Sequence, residues 1–580
     1  MKKVSSYIME HIWGYIAAVF CLIIGVALDM LSPQLTKRMI DDVIMGGRLE
    51  LLSYLLLGFL IVGLGKCVFM YVKEYLFDVM SSKICAQMRR NLFRHLQGLS
   101  ADFYDRNNTG ELMARVKEDV DHIWDGLSYV GMLLIEVTVH TVLVLTCMYR
   151  LSPKLALIPT AAMLFCGTLA IFLERRLDKV YEEISEENAK LNTVAEENLA
   201  GVRTVRAFAR EKFEIKKFLS HNRRYYELNM KQSRIFVKYH PLFTLVTKLL
   251  PLTVLLAGGV MVMQGEAAPG GAFTLGSLGA FVEYSNNIVW PMEMLGWLTN
   301  SFSSAVASNR KLKKIYAETP TIKEEESPKR LECVKGEIAF EQVSFRRDNT
   351  EILKDINFRI APGSTLGIMG ATGSGKTSMV QLLQRLYDCT DGRILLDGTD
   401  IRRLSLGQLR ENISVVTQDV FLFSDTISDN VRLGKQAFTD FELVKSASQA
   451  AQASEFIEKL ESGYDTVIGE RGVGLSGGQK QRISIARALA KKNPILVMDD
   501  STSALDMETE AAIQKTLNDL PDTTKIIIAH RVSAVCHADE ILFLEDGRIA
   551  ERGTHKELLA KKGLYYETYQ LQMGGAIYAD

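Results

Sequence analysis

The chain is 580 residues long, enough for two or more domains. Its 68 basic and 69 acidic side chains nearly cancel, which gives no reason to expect nucleic acid as a partner. The eight cysteines form no C-x-x-C pair and no even framework, which argues against a disulfide scaffold and for reduced thiols facing cytoplasm or lipid.

The 47% of hydrophobic residues is concentrated in the first half. A helix needs about 20 mostly apolar residues to cross a hydrocarbon core of about 30 Å. Stretches 13–35, 51–73, 129–150, 153–174, 242–264 and 272–298 reach that length and predict six membrane helices. The first follows Met1-Lys2-Lys3 as a signal peptide would, but no small-residue cleavage site follows it and further spans do, so it is expected to be retained.

Positive charge sets the orientation. The connection between the second and third spans carries Lys83, Arg89, Arg90, Arg94, Arg106, Arg115 and Lys117, and the one between the fourth and fifth carries Arg175, Arg176, Lys179, Arg203, Arg206 and Arg210 among others. The link near Gly265 to Gly271 has neither Lys nor Arg, so the basic connections read as cytoplasmic and both termini fall inside. Both connections are long, helically patterned and polar, so the membrane helices are expected to continue into the cytoplasm. Within the spans, Glu136 and Glu283 are candidates to line a pathway or to form interhelical hydrogen bonds, with Lys66 and Lys248 as candidate counterions. Residues 319–336, with Pro320, Glu324-Glu325-Glu326 and Pro328, have linker composition.

Beyond the linker, Gly370-Ala371-Thr372-Gly373-Ser374-Gly375-Lys376-Thr377 is a phosphate-cradling loop of the G-x-x-x-x-G-K-[ST] type. Its backbone N–H groups close on phosphate oxygens, Lys376 reaches the β- and γ-oxygens, and the Thr377 hydroxyl ligates Mg²⁺. About a hundred residues later, Leu475-Ser476-Gly477-Gly478-Gln479 opens a helix whose N-terminus suits a second anion. One domain cannot wrap both around a single phosphate tail if they lie at its opposite ends, so the pair suggests ATP held between two such domains.

Residues 336–572 resemble the nucleotide-binding domain of ATP-binding cassette (ABC) transporters, motif by motif. Ser476, Gly477, Gly478 and Gln479 match the family signature, and Gln418 in Val415-Val416-Thr417-Gln418 matches the glutamine that contacts Mg²⁺ and the membrane partner. The apolar run Ile495 to Met498 ends at Asp499, which matches the aspartate holding Mg²⁺; Ser503-Ala504-Leu505-Asp506 matches the D-loop, and His530 the switch histidine at the γ-phosphate. Phe103 to Glu111 and Leu199 to Phe208 are similar to the coupling-helix regions of ABC exporters, which dock on nucleotide-binding domains. The resemblance implies an α-helical membrane domain with long cytoplasmic extensions over 1–318, a linker over 319–336 and an α/β P-loop domain over 337–580.

Two positions depart from the family pattern. Where a glutamate normally follows the Mg²⁺-holding aspartate, as base or polariser of the attacking water, this chain has Asp500, one methylene shorter. A displacement of about 1 Å at a reacting group can cost on the order of a hundredfold in rate. The substitution reads either as a tolerated exchange of acids or, the expectation adopted, as a site that binds ATP and hydrolyses it poorly. In Val343-Ser344-Phe345-Arg346-Arg347, Arg347 stands where an aromatic residue commonly stacks on adenine; its guanidinium, or Phe345, could take that place.

A weakened Asp500 beside an intact Ser476 resembles the weak-site subunit of heterodimeric bacterial multidrug exporters. That implies an ATPase-coupled translocase in the bacterial cytoplasmic membrane, exporting hydrophobic or amphiphilic compounds with a second half-transporter, either different or identical. A lipid or peptide translocator, and an ATP-binding regulatory half-transporter that moves no cargo, remain open alternatives.

Overall fold

The computed structural model describes residues 4–264, 267–268, 271–348, 350–434, 440–469, 472–520 and 522–574, with only the backbone at 4–5, 267–268, 271–272, 295–300, 302–303 and 573–574. The chain forms two compact units, one of residues 1–98 and 107–319, the other of residues 99–106 and 320–580.

The first unit is helical: α1 (Ile12–Asp29), α2 (Glu50–Gln97), α3 (Tyr129–Leu151), α4 (Pro153–Ala200), α5 (Glu211–Gln264) and α6 (Leu275–Ala317). Among the described residues, five helical stretches are long and apolar enough to cross a membrane: Ile12–Met45, Glu50–Gln97, Thr109–Leu151, Pro153–Ala200 and Glu211–Gln264. The sixth expected span, 272–298, lies mostly on α6, and its side chains at 295–298 fall outside the described residues. Helices α2 and α4 have 48 residues and α5 has 54. At 1.5 Å per residue each is roughly 70–80 Å long, more than twice a hydrocarbon core.

The helix starts are read locally. Ser152 caps α4, accepting from the Leu155 N–H ahead of Pro153 at the first helical position, and Thr274 caps α6, accepting from the Ser277 N–H at 3.0 Å. The shared core takes Leu22 and Val26 from α1, Val144 and Met148 from α3, Val254 from α5, and Phe281 with Tyr284 from α6.

Polar contacts cross between these helices. Lys73 Nζ, only 4% exposed, donates to Glu136 Oε2 at 2.8 Å, while Lys66 Nζ donates to Asp29 at 2.6 Å. Lys66 is therefore not the counterion of Glu136. Ser32 Oγ donates to Glu283 Oε1 at 2.8 Å, and Lys248 is exposed. Both glutamates thus take part in interhelical hydrogen bonds.

The second unit carries two sheets. An antiparallel one has the order β2-β1-β4-β5, from β1 (Ile338–Arg347), β2 (Thr350–Ile360), β4 (Asp391–Leu396) and β5 (Thr399–Asp400). The six-stranded sheet has the order β10-β9-β3-β8-β7-β6, from β3 (Thr365–Gly370), β6 (Ile413–Val416), β7 (Ile495–Asp499), β8 (Thr524–Ile528), β9 (Glu540–Glu545) and β10 (Arg548–Gly553). Only the β9–β10 pair in it is antiparallel. Every residue of β7 and β8 is buried, which is why these strands read as continuous apolar runs and not as alternation.

Candidate functional site

Three loops converge because β3, β8 and β7 are adjacent and parallel, so their C-terminal ends share one edge. Ile528 pairs with both Ile368 and Asp499 in register. A ligand crevice outside the carboxyl ends of the strands is the general consequence.

The phosphate loop leaves β3 at Gly370 and enters helix α7 (Lys376–Leu383). Gly375 caps that helix at φ +98°, and a Cβ there would lie 2.6 Å from Leu353 Cδ2, so no side chain fits. Thr372 and Gly373 are exposed at the crest of the loop, whereas Ser374 is buried and its hydroxyl has no hydrogen-bond partner among the described residues. Lys376 Nζ donates to the Gly370 and Ala371 carbonyls, each at 2.8 Å. A buried, unpaired hydroxyl and an ammonium resting on neutral carbonyls fit a phosphate tail.

The Thr377 hydroxyl is a near neighbour of the Asp499 carboxylate. Burial, and then the neighbouring charge of Asp500, push the Asp499 carboxyl above its usual range, against the polar influence of Thr377 and the charges of Lys376 and His530. Burial also lowers the Lys376 ammonium, against the charges of Asp499 and Asp500. The five expected residues are thus electrostatic neighbours. No group of three or more His, Cys, Asp or Glu side chains that would hold a metal ion gathers among the described residues. Oxygen donors from Thr377 and Asp499 therefore suit Mg²⁺ only when the nucleotide supplies further oxygens. Gln418 is exposed two residues beyond β6.

Asp500 follows β7 at φ +44°, in the left-handed region, with its N–H donating to Ile528 O at 2.9 Å. Asp is among the side chains that tolerate this conformation best. His530 is exposed just beyond β8.

Ser476 caps helix α8 (Gly477–Ala490) in a capping box: its Oγ accepts from the Gln479 N–H and its own N–H donates to Gln479 Oε1 at 2.9 Å. Gly477 and Gly478 sit against Ala504, and a Cβ on Gly478 would lie 3.1 Å from its carbonyl oxygen. Asp506 caps helix α9 (Met507–Asn518) through the Thr509 N–H and hydroxyl, and these bonds hold its carboxyl below the usual range.

The two stacking candidates separate. Phe345 is 5% exposed and packs in the core, which takes it out of reach of a base. Arg347 lies 5.3 Å from the Tyr387 ring centroid and pairs with Asp105 Oδ2 at 2.9 Å; the Tyr387 hydroxyl donates to the same carboxylate oxygen. Asp105 belongs to helix Ala101–Arg106, the segment that folds with the second unit.

The sequence did not single out the residues bracing these loops. Gln481 donates to Asp500 O at 3.3 Å and accepts from the Ala504 N–H at 3.2 Å; Glu510 accepts from Thr502 Oγ1 and from Arg531, each at 3.0 Å.

Residues 15–291 match the family model described as the ABC transporter transmembrane region, and residues 353–503 match the ABC transporter model. The chain is 36% identical over 574 residues to the uncharacterized ABC transporter ATP-binding protein YknU of Bacillus subtilis, covering 98% of this chain and 97% of that one. It is 35% identical over 586 residues to a putative multidrug export ATP-binding/permease protein of Staphylococcus aureus, covering 99% of this chain and all of that one. The solved structure of a bacterial Atm1-family ABC exporter with ATP bound superposes with a TM-score of 0.82 at 27% identity, over 97% of this chain and 98% of its own. With both halves matched end to end, the chain belongs to the ABC transporters in which a multi-pass membrane domain is fused to an ATP-binding domain.

Proposed function

We propose that this chain is one half of an exporter, heterodimeric in preference to homodimeric, that uses ATP to drive hydrophobic or amphiphilic compounds out across a bacterial cytoplasmic membrane. The ATP-binding unit and both termini face the cytoplasm, as the basic connections imply. The observation that carries the reading is the pairing of Asp500 with an intact signature at Ser476 to Gln479. The site on Lys376 then binds ATP and turns it over slowly, while Ser476, Gly477 and Gly478 complete a competent site on the partner.

In the chain's own site, Lys376 neutralises the β- and γ-oxygens, His530 donates to the γ-phosphate, and Asp500 orients the attacking water from one methylene too far back. Thr377, Asp499 and Gln418 would hold Mg²⁺, which when bound neutralises charge on the phosphates. At the other site, the Ser476 hydroxyl and the N-terminus of the 14-residue α8 face the partner's nucleotide. ATP drawn between the two units biases the membrane halves outward, and hydrolysis resets them. Val202–Ala207, which buries none of its own side chains and is flanked by exposed Leu199 and Phe208, supports docking on a second subunit.

A cavity of about 660 Å³ among α4, α5 and α6 supports an amphiphilic cargo. Aromatic rings such as Tyr239 and Phe243 line it together with Glu174, Asp178 and Glu293, which have no ion-pair partner among the described residues. Apolar walls with unpaired carboxylates suit a hydrophobic cation. In proteoliposomes, ATPase stimulation by hydrophobic cations supports this cargo; stimulation only by lipid or peptide favours those translocators, and none at all favours a regulatory half-transporter. For the asymmetry, Asp500→Asn is set against Gln in place of the partner's corresponding glutamate. Equal loss of ATPase from the two changes refutes it.

A further inference from the structure

The loop that carries His530 is held by a side chain far along the sequence. Helix α10 (Val532–Val535) follows His530 directly, and helix α11 (Leu564–Gly574) packs on it through the fully buried Tyr565. The start of α11 is pinned to β10, because Glu551 accepts from the Leu564 N–H at 2.6 Å and the Tyr565 N–H at 3.1 Å. Two helical turns later, Gln572 Nε2 donates to His530 O at 2.7 Å and Gln572 Oε1 accepts from the Val532 N–H at 2.8 Å.

One amide therefore straddles Arg531 and fixes the main chain on either side of it. A flipped amide would set oxygen against oxygen and N–H against N–H, so chemistry fixes its orientation. The Arg531 side chain in turn reaches Glu510 Oε2 at 3.0 Å, whose other oxygen takes the Thr502 hydroxyl two residues beyond Asp500. The His530 imidazole itself is exposed, so where it points follows from how this short stretch of backbone is held.

We propose that Gln572 is a positioning residue for His530: α11, registered at Glu551, sets the main chain of the switch loop and thereby aims the imidazole at the terminal phosphate of bound nucleotide. The inference rests on the reading that His530 meets the γ-phosphate. Gln572 touches no nucleotide; it acts only through the 530–532 backbone.

The test is made on the full-length chain with its partner in nanodiscs, without turnover. Azido-ATP labelling of this chain is displaced with ATP and with ADP, and the ratio of the two affinities isolates the γ-phosphate contact. Gln572→Met is expected to lower the preference for ATP over ADP about fivefold, what one net hydrogen bond is worth. Gln572→Glu, which keeps the acceptor for Val532 and sets a carboxylate against His530 O, should lower it at least as far. In a His530→Ala background neither change should lower it further, because two residues acting through one contact are not additive.

Leu571→Ala, at an exposed neighbour, should leave the ratio unchanged. An unchanged ratio in both Gln572 variants, an additive loss on His530→Ala, or an equal loss in Leu571→Ala overturns the proposal. An unchanged ratio in His530→Ala alone overturns the γ-phosphate reading and takes this inference with it. A purely structural role would lower the melting temperature while moving ATP and ADP affinities together.

Discussion

Asp500→Glu is expected to raise hydrolysis at the site on Lys376 by about a hundredfold, and the surrounding bonds say why side-chain length decides it. The main chain at Asp500 is fixed from three directions. Its N–H donates to Ile528 O at 2.9 Å, and its carbonyl accepts from Gln481 at 3.3 Å and from Ser503 Oγ at 3.0 Å. The backbone cannot creep forward to make up a short side chain, so the carboxylate reaches only as far as its own carbons allow. One added methylene extends that reach by roughly 1 Å, the displacement that separates a productive from an idle base. The exchange has a conformational cost. At φ +44° a glutamate loses the tolerance that aspartate has for left-handed backbone, about 1 kcal/mol, or a melting temperature lower by a few degrees. The assay is phosphate release by the reconstituted dimer with the partner's catalytic glutamate replaced by Gln, which silences the other site. A rate within about threefold of the parent, in protein that still binds ATP, refutes the argument from reach.

Other substitutions test other links. Lys73→Met leaves the half-buried Glu136 without its cation and should cost about 3 kcal/mol in thermal melting, most of it regained when Glu136→Gln is added. Ser476→Ala removes the cap of α8 at about 1 kcal/mol and should lower turnover at the partner-built site on the order of a hundredfold, while ATP labelling of this chain stays unchanged. Asp105→Ala releases Arg347 and Tyr387 from one half-exposed carboxylate; melting should move by less than about 1 kcal/mol, yet ATPase should lose its stimulation by transported compound.

Much of the fold lies in composition that the eye can follow. The membrane helices announce themselves because lipid demands long apolar runs, and β7 and β8 do so because both faces of a central parallel strand are buried. Lys66 and Lys73 show where such reading ends. They are seven residues apart, nearly two helical turns, and so share a stripe of α2; only the register of α2 against its neighbours sends Lys73 to Glu136 and Lys66 to Asp29. Phe345 fails for a related reason. Irregularities in the β1–β2 pairing at 340–343, 343–345 and 345–346 break the two-residue alternation, so counting along β1 does not tell which ring faces the core. The braces at Gln481, Glu510 and Gln572 were illegible for a third reason: a side-chain amide or carboxylate gripping a distant backbone has no characteristic spacing.

Those braces bear on how a slow site can matter to a fast one. In the proposed dimer, the signature at the start of α8 serves one nucleotide and Asp500 serves the other. Within this chain the two are not independent. Gln481, one turn into α8, holds both Asp500 O and the Ala504 N–H, and Gly478 lies against the Ala504 carbonyl. Any movement of the 500–504 turn as the slow site gains or loses its γ-phosphate is therefore handed to the helix whose N-terminus clamps the other nucleotide. A carboxylate one methylene short weakens chemistry without loosening that bracket, since none of these bonds involves the Asp500 side chain. The slow site can then remain filled and hold α8 in place through many turnovers of its neighbour. The main-chain contacts around Asp500, and not the length of its side chain, are what such a holding role requires.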